Sequence, residues 1–317
     1  MEYLFNVELP EASELHDVLG FVDADFSMKQ IQPYLRSSTK NIVEIIGENL
    51  YDTAVALYST NTAAFGSSFS AGFSHSAQEH EFVTLLRYAI ALGAFRQFAP
   101  LSDLSYTTSG RLFRTDDNTK SAFEWMIDKS DDAMERSYYA AVNEIIRFVL
   151  KELPEDAVGL TKKFKLDELF VYDLSVFQEY VNINDFYLLY FKLVPELRSA
   201  QNRLLKPRMG AKYDFFKANE SEHINNLAKN ICVFFAMKNG LRKESVQLWP
   251  RGVVRETSGS KKHQSASQID IAGSVLFYDD ELKELLLELE NAIAKTNIQP
   301  GNTTLINFGP DDKFVTL

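Results

Sequence analysis

The strongest constraint on the fold is a set of apolar positions recurring every three or four residues, interrupted by proline and glycine. Ile42, Ile45, Ile46, Leu50, Ala54 and Leu57 keep that period, as do Phe82, Leu85, Leu86, Ala89 and Phe95. Met134, Tyr138, Ala141, Val142, Ile145 and Val149 mark one face of a longer element. Ile224, Leu227, Ala228, Ile231 and Phe235 form another stripe, and Leu282, Leu285, Leu286, Leu289 and Ile293 a last one. A 3.6-residue period belongs to helices that bury one face, so the chain is predicted to be mainly α. Such stripes are ordinarily core seams and not ligand sites.

The helix boundaries follow from the punctuation. Pro100 is expected to end the helix that carries Phe82, and Pro154 the long helix that starts near Asn118 or Thr119. Leu166, Leu169, Phe170, Leu174 and Phe177 read as one further helix, and Asn182 and Asn184 as the break after it. Two short β-hairpins are expected. One runs from Leu101–Tyr106 to Arg111–Arg114 around Thr108-Ser109-Gly110; the other runs from Val246–Trp249 to Val253–Arg255 around Pro250-Arg251-Gly252.

The chain also resembles itself. A constant spacing of 142 residues pairs Leu85 with Leu227, Arg87 with Lys229, Ala94 with Ala236, Arg96 with Lys238 and Gly110 with Gly252. Pro33-Tyr34-Leu35-Arg36-Ser37 and Pro195-Glu196-Leu197-Arg198-Ser199 match at a spacing of about 162. The 317 residues are enough for two domains at roughly 150 residues each. The expected organisation is an acidic N-terminal segment (1–25), a first helical copy (26–153), a linking helix (154–180), a second copy (181–295) and an extended C-terminal arm (296–317). The difference between the two spacings places an insertion in the first copy, at 61–81, with Phe65, Phe69 and Phe73 among Ser, Gly and Ala. The fold class expected is therefore mainly α: two duplicated helical domains, each with a small β-hairpin, and an extended C-terminal arm.

Composition and motifs remove several functions. A net charge of −11 disfavours wrapping nucleic acid through its phosphates. The longest apolar runs, such as Ile231 to Met237, fall well short of the ~20 residues that span a bilayer. No basic-then-apolar leader is visible, so a signal peptide is not expected. The single cysteine, Cys232, permits no disulfide within the chain and reads as a buried core residue. There is no P-loop, no G-x-S-x-G elbow and no H-E-x-x-H helix. His75 and His80 lie five apart, off the spacing of one helix face, and read as a solvated loop. The acidic pairs Asp116-Asp117, Asp131-Asp132, Asp279-Asp280 and Asp311-Asp312 read as helix caps or solvated groups. A pair of carboxylates could instead serve a hydrolase if two of them met in a cleft. No cofactor or metal is expected, and no enzymatic activity.

Gly110-Arg111-Leu112-Phe113-Arg114-Thr115, then Lys120-Ser121-Ala122-Phe123-Glu124-Trp125, then Ile145-Ile146-Arg147-Phe148-Val149-Leu150 form a distinctive series. Phe177-Gln178-Glu179-Tyr180-Val181-Asn182-Ile183-Asn184 and Pro195, Leu205, Pro207 and Gly210 continue it. The series resembles a family of phage and prophage proteins from Bacteroides-type hosts, the crAss-like phages included. Each copy is also similar to the helical head–tail connector, or adaptor, proteins of tailed bacteriophages. The resemblance covers most of residues 26–295; the Phe/Ser/Gly insertion and the C-terminal arm depart from it.

The resemblance implies a virion structural protein at the head–tail junction, assembled in the host cytoplasm. Its partners would be further copies of itself in a twelve-fold ring, the portal, and tail or neck proteins. DNA would pass through the lumen without sequence-specific binding, and no membrane is involved. An acidic lumen would repel phosphates and let DNA slide. Candidate subunit contacts are Arg111, Arg114, Arg251 and Arg255 beside the hairpins, Phe65, Phe69 and Phe73 in the insertion, and Phe314 in the arm. The alternatives are an adaptor that binds one partner through its arm, and a carboxylate hydrolase.

Overall fold

The computed structural model describes residues 2–8, 11–23, 26–60, 77–102, 104–107, 110–113, 123–153, 162–218, 223–243, 254–256, 263–265 and 268–297. It is mainly helical, as the stripes require. Two compact units are present. The first comprises Met1–Asp167, Phe186–Lys192 and Trp249–Arg251; the second comprises Glu168–Asp185, Leu193–Leu248 and Gly252–Leu317.

In the first unit, α1 (Ser13–Leu19), α2 (Met28–Ile46), α3 (Glu48–Thr60) and α5 (Glu124–Glu152) all pack on α4 (Ala77–Ser102). The reason lies in the sequence of α4. Phe82, Val83, Leu86, Ala89, Ile90, Ala91, Leu92 and Ala94 are buried and spread around the whole helix circumference. A helix apolar on every side belongs at the centre of a bundle. Gly93 sets how closely its neighbours approach: a Cβ there would stand 2.3 Å from Ser38 Oγ on α2 and 2.7 Å from a ring carbon of Tyr138 on α5. The stripe predicted from Ile42 to Leu57 is buried as expected at Ile42, Ile46, Leu50, Ala54 and Leu57, but Gly47 divides it between α2 and α3. A short antiparallel pair, β1 (Leu104–Thr107) and β2 (Gly110–Phe113), aligns Leu104 with Phe113 and Tyr106 with Arg111.

In the second unit, α6 (Leu174–Gln178) leads to α7 (Tyr187–Ala200), whose first residues belong to the first unit. A π-helical turn (Gln201–Leu205) and α8 (Lys206–Met209) continue it. Buried Gln201 ties this turn in place: its Oε1 accepts from the Phe170 amide at 2.6 Å and its Nε2 donates to the Glu168 carbonyl at 3.1 Å. After α9 (Tyr213–Ala218), the core is α10 (His223–Lys243) packed along α11 (Gln268–Asn297). Lys238 on α10 donates to Asp279 on α11 at 2.5 Å, and Lys283 reaches the same carboxylate at 3.0 Å. These two hydrogen-bonded ammonium groups, that of Lys238 first, hold the Asp279 carboxyl below its usual pKa. Cys232 is fully buried, as expected, and burial pushes its thiol pKa up.

Several boundaries differ from those expected. Pro100 sits inside the last turn of α4, which closes at Ser102, because proline's fixed φ suits a helix even where its missing N–H does not. The long helix α5 begins at Glu124, with Phe123 in extended conformation before it, later than Asn118 or Thr119. Leu166–Phe177 is not one helix: a 3₁₀ turn at Leu166–Glu168 precedes α6, and Asp173 starts α6 afresh by accepting from the Ser175 amide at 3.1 Å. The pair Asp279-Asp280 lies within α11 and not ahead of it, held there by Lys238 and Lys283. Val254–Glu256 (β3) takes its antiparallel partner from the C-terminal side, His263–Ser265 (β4), and the expected partner Val246–Trp249 lies outside the described residues. Ala77–Glu81, placed in the insertion, are the first turn of α4, so His80 is helical and half-buried and not in a solvated loop. Thr296 and Asn297, placed at the start of the arm, are the last residues of α11, and the rest of the expected arm lies outside the described residues.

Candidate partner-binding groove

Arg87 and Tyr88 are neighbours on α4 and point to two different places. Arg87 is 3% exposed. Its Nη2 donates to Glu14 Oε2 on α1 at 2.5 Å, and its Nε donates to the Leu4 carbonyl at 3.0 Å. The Tyr58 hydroxyl of α3 donates to the same carboxylate, at 3.0 Å to Oε1 and 2.9 Å to Oε2. The guanidinium lies 5.0 Å from the ring centre of Phe5 and 5.3 Å from that of Tyr58. Tyr51 adds a hydrogen bond to the Glu2 carbonyl at 2.7 Å. Thus Glu2, Leu4, Phe5 and Glu14 fasten the N-terminal segment into a slot on α3 and α4, with Leu4 and Phe5 buried.

The electrostatics fit this arrangement. Burial lowers the Arg87 pKa and the Glu14 carboxylate opposes that shift. Burial first, then the Glu14 charge, raises the pKa of Tyr58. His80 is moved down by burial and by the Arg87 charge. The slot is filled by the chain's own N-terminal residues, Glu2, Leu4, Phe5 and Glu14 among them.

Tyr88 faces an open groove. Tyr88, Leu92, Phe95 and Ala99 form one wall, spaced so that they share a face of α4. Met126, Ile127, Ser130, Met134 and Ser137 of α5 form the other. Leu19 and Phe21 close one side. Gly20 turns the chain at that point: its φ of 70° ends α1 in a left-handed cap that donates to the His16 carbonyl at 2.7 Å. The cavity is about 680 Å³. Phe21 is 56% exposed, Met126 43% and Tyr88 38%, and exposed Phe123 and Trp125 flank it in sequence. Phe21 packs edge-on against Phe95 at 5.3 Å, which joins that side of the groove to the α4 wall.

Its lining is mostly apolar. Among the described residues, Asp131 is the one charged residue lining it, with no His, Cys, Lys or Arg there. No acid–base pair is assembled there. Among the described residues no cluster of His, Cys, Asp and Glu is suited to a metal, and no helix is long and apolar enough to cross a membrane.

Of the residues expected at subunit contacts, Arg111 lies in β2 opposite Tyr106, and Arg255 in β3 opposite Gln264. Arg114, Arg251, Phe65, Phe69, Phe73 and Phe314 lie outside the described residues. The sequence reading missed both the Arg87 slot and the groove. An arginine inside the apolar run Phe82–Ala94 was the available sign of a buried charge. The run Phe123, Trp125, Met126 at the start of an amphipathic helix was the sign of an exposed apolar surface.

The comparisons with known proteins are sparse. A model described as a family of unknown function, DUF6712, matches residues 42–155. That stretch carries Tyr51, Tyr58, Arg87 and both main walls of the groove; Leu4, Phe5 and Glu14 fall outside it. No curated protein and no solved structure matches the chain.

Proposed function

We propose that this chain is a structural subunit that works by assembly. In the setting its sequence resembles, it is a head–tail connector subunit of a tailed phage, one of a ring beneath the portal. The observation that carries this reading is the groove beside α4: concave, apolar, and lined by large exposed side chains with one charge. An exposed apolar surface of this kind marks a contact with another macromolecule. A ring subunit needs a rigid helical core and side-to-side surfaces that close on themselves, and it needs no catalytic group.

We also propose that the two units descend from one duplicated module. Residues related by the 142-residue spacing play parallel parts. Arg87 and Lys229 are buried on the central helices α4 and α10, at 3% and 7% exposure. Arg96 and Lys238 each pair with an acid on the long helix that follows, Glu135 at 3.6 Å and Asp279 at 2.5 Å. On this view the hairpin belongs to the repeated module.

Light scattering after size exclusion, with and without the portal protein, tests the assembly reading. A mass several times 36.1 kDa, or co-elution with the portal, is the expected result. A chain that remains at 36.1 kDa and ignores the portal would overturn the connector reading.

A further inference from the structure

On the second unit, α11 carries a row of exposed side chains. Leu276 and Leu287 are each 62% exposed. Between them stand Asp280 and Lys283, 72% and 67% exposed, with Lys283 Nζ 2.9 Å from the Asp280 carboxylate. With 3.6 residues per turn, the four side chains fall within about 60° of arc, on one line along the helix. Buried Leu282, Leu289 and Ile293 are centred about 130° away, on the side that packs on α10. The order of the row is self-complementary. Leu276 and Leu287 are equally far from the point between Glu281 and Leu282. Asp280 and Lys283, of opposite charge, are equally far from that same point.

We infer that the α11 row of one copy packs antiparallel on the α11 row of a second copy. A two-fold axis through the midpoint sets Leu276 opposite the partner's Leu287, and Leu287 opposite the partner's Leu276. Asp280 then faces the partner's Lys283, and Lys283 the partner's Asp280. No charge gives up its present partner. The Lys283 ammonium has three donors; Asp279 at 3.0 Å and Asp280 take two, and the partner's Asp280 takes the third. The two Asp280–Lys283 pairs thus form one ring of four alternating charges between two pairs of leucines. A parallel copy would instead set like charge against like, which is unfavourable. Because one surface meets itself, the contact is isologous and joins copies two by two. It is one short helix–helix contact, smaller than the ~800 Å² per partner of a stable interface. It therefore gains strength where other contacts already hold copies together. The pairing stands apart from the groove and from the connector reading, and the failure of either leaves the other in place.

Cysteine cross-linking in the full chain tests the register. The native Cys232 is fully buried and does not interfere. Chains carrying Leu276→Cys are mixed with chains carrying Leu287→Cys and treated with a short bis-maleimide. In the mixed pair the two cysteines face each other; in a pair of identical variants they stand about 16 Å apart along the helix axis. A cross-linked dimer in the mixture, lost in each variant alone, is expected. Asp280→Lys with Lys283→Asp in both chains keeps the order self-complementary and should keep the dimer. The same exchange in only one of the two chains sets like charges together and should abolish it. Equal yield from one variant alone and from the mixture would overturn the proposal, and so would a yield indifferent to the one-sided charge exchange. No dimer in the mixture, with both variants as helical as the natural chain by circular dichroism, would overturn it as well.

Discussion

Arg87 and Tyr88 are about 100° apart around α4, and the slots they face differ in every respect that matters. The Arg87 slot is polar and closed. It takes an ion pair, backbone carbonyls and two aromatic faces, and the chain's own N-terminal segment fills it. The Tyr88 groove is apolar and open, with Phe21 and Met126 about half exposed. A buried cation must be matched inside the molecule, because an unmatched charge costs several kcal/mol. An apolar groove carries no such obligation and can remain uncovered until a partner arrives. The lesson is that directional, charged contacts fasten this unit to itself, and non-directional apolar surface is what it offers outward.

The contrast can be broken most sharply at the Arg87 slot. Arg87→Met leaves Glu14, only 13% exposed, without its cation, and should cost about 3–5 kcal/mol in the urea unfolding of the first unit. Adding Glu14→Leu to it should recover part of that loss, because the two groups share one interaction. A double variant no more stable than Arg87→Met would mean that the pair is not the source of the cost.

The packing beneath both slots comes next. Gly93→Ala pushes a methyl to 2.3 Å from Ser38 Oγ and should destabilise by about 1–3 kcal/mol, even though alanine favours helices. A rise in thermal midpoint would show that α2 and α5 yield at that point.

A smaller effect concerns pH. Tyr58 holds its proton to higher pH in the fold than in the unfolded chain, through burial and the Glu14 carboxylate. The fold therefore binds more protons in alkali than the unfolded chain does. Its contribution is complete below the unfolded tyrosine pKa of about 10 and is lost as pH rises through the higher folded value. Tyr58→Phe should flatten the alkaline fall in stability above about pH 10 and lower stability at neutral pH by about 1.5–3 kcal/mol, the worth of a hydrogen bond to a charged group. An unchanged alkaline slope would remove Tyr58 from the account. The smallest effect on folding belongs to the groove: Met126→Gln should move stability by less than about 0.5 kcal/mol, in urea titration, because the side chain is already in water.

Much of the helical architecture was legible in the sequence because burial leaves a periodic trace. Tyr138, Val142, Ile145 and Val149 are buried as their spacing demands, and so are Ile224, Leu227, Ala228 and Ile231. Ends were harder to place. Pro100 fits the last turn of α4 through its own fixed φ, and Asp279-Asp280 has a local tendency that a tertiary contact overrides, since Lys238 lies 41 residues from Asp279 in the chain. The Arg87 slot was not legible because its parts come from residues 4, 5, 14, 58 and 87, and no local pattern joins them. The groove was half legible. Phe123 just before α5 and Trp125 and Met126 in its first turn are exposed apolar residues in plain view, but Phe21 joins them only through the left-handed turn at Gly20.

The most direct test of the contrast is a concentration series of light scattering on the natural chain beside Met126→Gln and Arg87→Met. The natural chain is predicted to rise in mass above 36.1 kDa with concentration. Met126→Gln, folded and equally stable, should stay at 36.1 kDa. Arg87→Met should lose stability first and associate only as far as it folds. Identical mass curves for the natural chain and Met126→Gln would contradict the account, because the open groove would then not be the surface through which the chain assembles.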